Sequence, residues 1–331
     1  MPLNKIDQNV TAFGCELDLS QSSRPPEGSR ASAGPLKRDY TDLRFEGLAR
    51  RTTLETDLAA HAWMSQRDIN WNVRPGRSTA DRDNALMPAI VELENQRKPG
   101  LALSFHPNAA DAVAEMAGLA GRDAHRRIQF QAANGEGHHF IADVHGRRGH
   151  APSIILVESA IAFPPERYVE VLSQLRSRPE LARAAISIIE TNAQKSGSDC
   201  GMFCLSFAHK MAKHQELFLH LHAKQSRGET LGAGRPMGSV RAYKGENLLP
   251  ADFYKHAHSM QQVEKLANAA SFDPPVGHAV GSSSGLEGLL ARRRRLSEPA
   301  ATGTIGVSIE HKRVDVLVRS LDRLLPRGGR S

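Results

Sequence analysis

The clearest periodicity in the chain lies near its end. From Ile309 to Leu325, apolar residues Val314, Leu317, Val318, Leu321, Leu324 and Leu325 recur at three- and four-residue spacing, which predicts an amphipathic helix. A helix-prone block covers roughly residues 40–67, and Leu86–Gln96 is another, with Leu86, Ile90 and Leu93 on one face and Val91 beside them. The period then shortens. Arg126–Gly146 reads as a hairpin turning at Asn134–Gly135, with Phe140, Ala142 and Val144 on one face of its second strand and His139, Ile141 and Asp143 on the other. Ser153–Ser159 and Ala184–Glu190 are short apolar runs typical of buried strands. Helices are predicted over about 166–177, after Pro164–Pro165, and about 200–214. Alternating strands and helices in mid-chain imply an α/β or α+β core. Residues 225–245 read as loop, and 276–288 as a flexible segment.

Composition narrows the class. The 331 residues are 40% hydrophobic but only 5% aromatic, enough for one large domain or two modest ones. Residues 20–34, rich in Ser, Pro, Gly and Arg, cannot bury a core and read as disordered. No run of about 18 apolar residues predicts a membrane span, and the start, MPLNKIDQNV, lacks a signal peptide's pattern. Three cysteines, Cys15, Cys200 and Cys204, make no disulfide framework. A net charge of +7 favours anionic partners or is simply a solubility feature.

The chemistry gathers in QKSGSDCGMF, Gln194–Phe203. Cys200 opens the helix there, where unpaired N–H groups and the helix dipole stabilise a thiolate. Ser198 or Asp199 is placed to cap the helix, and Gly201 permits close backbone approach. Cys200 is therefore either a nucleophile or, as free cysteines commonly are, a small buried hydrophobe. Cys204, one turn deeper, fits the second role. A nucleophile needs a base and an orienting group. Among the 15 histidines, His139 starts a strand, and the next strand ends in Glu158, a carboxylate that needs a partner if buried. His138, His145 and His150 are expected at turns or on the surface, and Glu158 at a strand end has solvent as its alternative. Gln194, on the loop before Cys200, is an oxyanion donor or an exposed loop residue.

QKSGSDCGMF, in the order His, acid, Cys, resembles the active-site stretch of the ubiquitin-like-protease clan of cysteine hydrolases. HHFIADV with SIILVESA, LLPADFYKHAHS (Leu248–Ser259) and VSIEHKR (Val307–Arg313) are similar to blocks of the YopJ family of bacterial type III effector acetyltransferases, as is LMPAIVELENQRKPGL (Leu86–Leu101). The resemblance spans roughly residues 86–325. It implies an α+β fold, with a papain-like, ubiquitin-like-protease catalytic core over 106–224. A helical regulatory region would come from 40–105 and 225–331, behind a disordered secretion segment over 1–39.

The resemblance further implies an acyltransferase, with His139 as base, Glu158 as orienter and Cys200 carrying acetyl from acetyl-CoA to Lys, Ser or Thr of host signalling or immunity proteins. Gln194 matches the clan's oxyanion residue, and Lys255 the lysine described as self-acetylated. Inositol hexakisphosphate is the implied activator, for which Lys255, His256, Lys312, Arg313 and Arg97 are the expected cationic contacts. The implied setting is secretion into a host cell, with cytoplasm, nucleus and membrane surface as compartments and no need for nucleic acid. The tract Ala291–Pro299, with Arg292–Arg295, departs from the family pattern and reads as an exposed basic loop. Two other readings share these residues: a ubiquitin-like-protein isopeptidase using the same triad, and a non-catalytic binding effector.

Overall fold

The computed structural model describes residues 53–71, 73, 75–132, 138–160, 165–258 and 307–325. The segment expected to be disordered over 1–39, the front of the first helical block, the Asn134–Gly135 turn, residues 276–288 and the Arg292–Arg295 tract lie outside the described residues.

Two helices come first, α1 (Thr53–Asn70) and α2 (Arg77–Arg97). Then follow β1 (Leu103–His106), α3 (Ala109–Gly118), β2 (Ala124–Gln131), β3 (His139–Gly146) and β4 (Ser153–Glu158). The chain continues through α4 (Pro165–Ser177), β5 (Ala185–Glu190), α5 (Cys200–Lys213), α6 (Gln215–Ser226), β6 (Gly234–Met237), β7 (Val240–Lys244) and α7 (Val307–Leu324). The strands form one mixed sheet in the order β1-β2-β3-β4-β5-β7-β6. β2, β3 and β4 pair antiparallel, as does β6 with β7, while β1 with β2, β4 with β5 and β5 with β7 are parallel.

Both faces of the sheet are covered, which is why the central strands read as continuous apolar runs. Ile128, Phe140, Ala142, Ile154, Leu156 and Ile188 point to the layer of α3 and α4. Ile141, Ile155, Val157 and Ile189 point to a thicker layer holding α2, α5 and α7. Residues i and i+2 share a face, so each strand feeds both cores by alternation. α7 packs along α1 and against α2 and α5, burying Val314, Leu317, Val318 and Leu321 as its periodicity requires.

The expected division of the chain meets the sheet in two places. A boundary at 105 falls inside β1, and the segment 225–331 supplies β6 and β7 as well as α7. Residues 225–245 are thus not simply a loop: Gly238, at φ 58°, sits between β6 and β7 in the left-handed region that glycine tolerates.

Candidate active site

The site forms where β3, β4 and the N-terminus of α5 meet. In the β3–β4 register Ile141 faces Val157, so Phe140 and Glu158 belong to the opposite face, and His138, two residues before Phe140, shares it. The structure accordingly puts His138, not His139, against the acid. His138 Nε2–H donates to Glu158 Oε2 at 2.8 Å, and the same imidazole hydrogen-bonds the Cys200 side chain. With Nε2 on the carboxylate, Nδ1 is the nitrogen left for the thiol. The Phe140 ring stands edge-on to the imidazole at 4.8 Å between centroids and fixes its plane.

Glu158 is fully buried and well supplied with donors. Its Oε1 accepts from the Ala160 N–H at 2.9 Å and lies 3.3 Å from the Ser159 hydroxyl. The alternative of a solvent-exposed strand end is therefore excluded. Burial alone would lower the proton affinity of His138. The Glu158 charge and the bonds to Cys200 and Glu158 outweigh it and hold the imidazole at about 9. A protonated imidazole bonded to a cysteine favours the thiolate, the reactive form.

His139 points to the other side of the sheet. Its Nε2–H donates to Asn84 Oδ1 of α2 at 2.6 Å, its Nδ1 accepts from the Gln129 amide at 3.3 Å, and its ring stacks on Phe105 at 5.9 Å. Burial, with the charge of His138 beside it, pushes it down to about 3, so it is a neutral packing group. The expectation of His139 as base is corrected on that geometry. His139 also touches the first turn of α5: a Cβ on Gly201 would lie 3.6 Å from its ring and 3.3 Å from Met87 Cε. Glycine there lets the helix approach β3 and α2 closely.

Cys200 is 3% exposed and is the first residue of α5. Cys204, one turn on, is fully buried, donates to the His139 carbonyl at 3.5 Å, and has its thiol pushed well up by burial. It is a core residue, as expected. Gln194 is buried rather than loop-exposed. Its amide donates to the Ser196 carbonyl at 2.6 Å and its Oε1 accepts from the Ser159 hydroxyl at 2.6 Å. One amide hydrogen is thus already spent within the loop that leads to Cys200.

The capping expected of Ser198 and Asp199 does not occur. The Ser198 hydroxyl donates to the Pro75 carbonyl at 2.8 Å, and Asp199, though at the N-cap position, makes no capping hydrogen bond. Asp199 is instead held by Arg313 of α7, whose Nη2 donates to Oδ1 at 2.5 Å, and by the Ser196 hydroxyl. The Arg313 Nε–H faces both oxygens of Asp83 in α2, at 3.0 and 2.9 Å, and His61 of α1 lies 2.7 Å from the same carboxylate. Burial opposes charge on Asp83, but Arg313 and His61 outweigh it and lower its pKa. The two aspartates likewise outweigh burial and raise that of Arg313. Removing one partner from so buried a network costs about 3–5 kcal/mol.

Arg313 is thus a strut between helices, 1% exposed, and is corrected as a ligand contact. His256 is buried as well, at 8% exposure, so it is not offered to a ligand from solvent. Lys255 is exposed, just past the 3₁₀ turn Ala251–Tyr254. Arg97 and Lys312 do come together, and they bring two residues that sequence reasoning missed, Lys98 and Arg319. Around buried Glu94 lie Arg97 Nη2 at 2.5 Å, His209 Nε2 at 2.8 Å and Arg319 Nη2 at 3.5 Å. Lys312 is pushed down to about 8 by burial and by Arg319, and Lys98 is lowered by burial, Arg127 and Arg97. Arg97 and Arg319 on Glu94, with Lys98 and Lys312 in electrostatic range and Asp315 acting on Lys312, form a site whose cations outnumber its carboxylates, suited to an anion of several charges. Arg319 was legible as the residue two turns after Lys312 on the same helix.

A cysteine at an open helix N-terminus, with a buried His–Glu pair beside it on a mixed sheet, is the arrangement of a thiol-dependent acyl-transfer protein. The family model described as YopJ Serine/Threonine acetyltransferase matches residues 51–318, and the chain belongs to that family. The serine/threonine-protein acetyltransferase HopZ1a of Pseudomonas syringae pv. syringae is 32% identical over 216 residues, 57% of this chain and 58% of that protein, so the match spans little more than half of this relative. A serine/threonine-protein acetyltransferase of Sinorhizobium fredii is 30% identical over 211 residues, 61% of this chain and 77% of the relative. Among solved structures, HopZ1a in complex with IP6 superposes with a TM-score of 0.66 at 25% identity, covering 82% of this chain and 93% of that one. HopZ1a in complex with IP6 and CoA gives 0.65 at 23%, over 82% and 98%.

Proposed function

We propose that this chain is an effector that transfers acetyl from acetyl-CoA to serine, threonine or lysine side chains of host proteins, with Cys200 as nucleophile, His138 as base and Glu158 as orienter. The observation that carries it is the buried Glu158–His138–Cys200 chain at the start of α5. The thiolate attacks the thioester carbonyl, the C–S bond to CoA breaks, and the departing thiolate takes the His138 proton. His138 then accepts a proton from the acceptor hydroxyl or amine as it attacks acetyl-Cys200, and the freed thiolate again faces an imidazolium. First-turn N–H groups of α5, and the remaining amide hydrogen of Gln194, are the donors at hand for the tetrahedral oxyanion.

Inositol hexakisphosphate fits the cluster of Arg97, Lys98, Lys312 and Arg319. These four cations depress one another's charge and are only partly offset by Glu94 and Asp315, so a polyphosphate would relieve them. Bound there, it supplies negative charge that ties α7 to α2. The exposure of Lys255 suits self-acetylation. Secretion by a bacterium and action inside a host cell follow from the family reading. Among the described residues no helix is long and apolar enough to cross a membrane.

The test is incubation with labelled acetyl-CoA, with and without inositol hexakisphosphate. Label is expected on Cys200 after brief exposure, then on Lys255 and an acceptor protein, and none in Cys200→Ala, while Cys204→Ala keeps most transfer. Cleavage of ubiquitin or SUMO precursors without acetyl transfer would favour the isopeptidase reading instead.

A further inference from the structure

Asp199 is the residue sequence reasoning would use to cap α5, and it does not do so. Its carboxylate stands at the N-cap position with φ −112° and ψ 3° and makes no bond to the first-turn N–H groups. Arg313 holds it at 2.5 Å from the far end of the chain, while binding Asp83 through Nε. The Ser196 hydroxyl, His258, 3.7 Å from Oδ2, and Glu310 also lie around it.

We propose that Arg313 is a positioning residue that keeps the Asp199 carboxylate off the N-terminus of α5, so that this terminus serves the Cys200 thiolate and the oxyanion. This rests on the acetyl-transfer reading of the site. An aspartate released at an N-cap turns to the free N–H groups, because that bond is worth about 1 kcal/mol to the helix. Here it would set a negative charge beside a thiolate and fill the donors the oxyanion needs. The neighbouring charges are those of His61 on α1 and Asp83 on α2, His138 and Glu158 on the strand side, and His258 and Glu310 around Asp199. Arg313 holds Asp83 together with Asp199. Lys312, the preceding residue on α7, faces the Glu94 cluster. One turn of one helix thereby joins the proposed polyphosphate site to the cap of the catalytic helix.

The experiment is the pH–rate profile of iodoacetamide alkylation at Cys200, read by mass spectrometry beside Cys204 as an internal reporter of unfolding. Wild type, Arg313→Gln, Arg313→Gln/Asp199→Ala and Asp199→Ala are compared, each with and without inositol hexakisphosphate. Arg313→Gln should move the Cys200 profile up by about one pH unit, slowing alkylation roughly tenfold at neutral pH. Asp199→Ala in that background should restore it. Inositol hexakisphosphate should still bind Arg313→Gln, raising its melting temperature, without recovering Cys200 reactivity. A folded Arg313→Gln with the wild-type profile, or a double variant that stays slow, overturns the proposal. If Arg313→Gln exposes Cys204, the decision passes to Asp199→Ala alone, which removes the negative charge one residue before Cys200 and should move the profile down; an unmoved profile overturns it. A wild-type Cys200 no more reactive than an ordinary thiol would instead remove the acetyl-transfer reading beneath it.

Discussion

Replacing Glu158 by Gln changes one atom and tests the electrostatics of the whole site. One oxygen of Glu158 accepts the Ala160 N–H and the other the His138 Nε2–H. A glutamine has one oxygen, and the backbone N–H claims it, so the amide NH2 turns to His138. Nε2 must then accept, and the ring proton moves to Nδ1, the nitrogen that has to receive the thiol proton. The imidazole also loses its counter-charge. Burial, the largest influence on this ring, then acts against the Cys200 bond alone, and the pKa falls from about 9 toward or below its ordinary 6.5. A fall of about 2 units is ~3 kcal/mol of lost imidazolium stabilisation. With the wrong tautomer added, turnover should drop by about 10³–10⁴, the scale of the equivalent change in a Ser-His-Asp triad. The assays are kcat for acetyl transfer and the pH–rate profile of Cys200 alkylation, which should lose its low-pH reactive form. Near-normal turnover with an unmoved profile would refute the linkage of Glu158 to Cys200 through His138.

Two further variants separate the paired histidines: His138→Gln should abolish transfer and Cys200 labelling, while His139→Gln should keep most of both and lose stability by about 1–3 kcal/mol, since it breaks the Asn84 contact and the stacking on Phe105. Equal kinetic loss in the two would leave the base unassigned to either. Lys312→Ala with Arg319→Ala should weaken inositol hexakisphosphate binding by tenfold or more and flatten its salt dependence, as calorimetry at two ionic strengths would read, because two charges leave the Glu94 cluster. Unchanged affinity and salt slope would remove this cluster from the site.

Much of the fold was legible because burial and period coincide. α7 was written in a six-position apolar stripe, and β4 and β5 in short runs of Ile, Leu and Val that both faces of the sheet demand. The β6–β7 hairpin was not. Its strands are four and five residues long, with Pro236 in one and two charged residues in the other, so neither alternation nor β-propensity marks them. β1 is as short: four residues, in which Leu103 and Phe105 give a single step of strand alternation, too little to mark a strand.

The error at the base has a physical cause of the same kind. His138 and His139 are adjacent, so choosing between them means choosing which face of β3 meets the acid. In a strand with one wet face, the apolar–polar alternation decides that. Here it cannot, because Phe140 and Ile141 are both buried, one in each core. The deciding facts are the β3–β4 register, which sets Ile141 opposite Val157 and so puts Glu158 on the face of Phe140, and the parity that brings His138 there too. Register is a long-range property, set by side chains on both strands and by the closing turn. The role of Arg313 is hidden for the same reason at greater distance. Sequence presents a helix-borne basic residue 114 positions after Asp199, and only the packing of α7 on α1, α2 and α5 makes them neighbours. The proposed triad was therefore readable as a set of residue types, Cys, Glu and one of two histidines. Its electrostatic support, in which an acidic neighbour of the nucleophile must itself be held away, exists only once the last helix has docked.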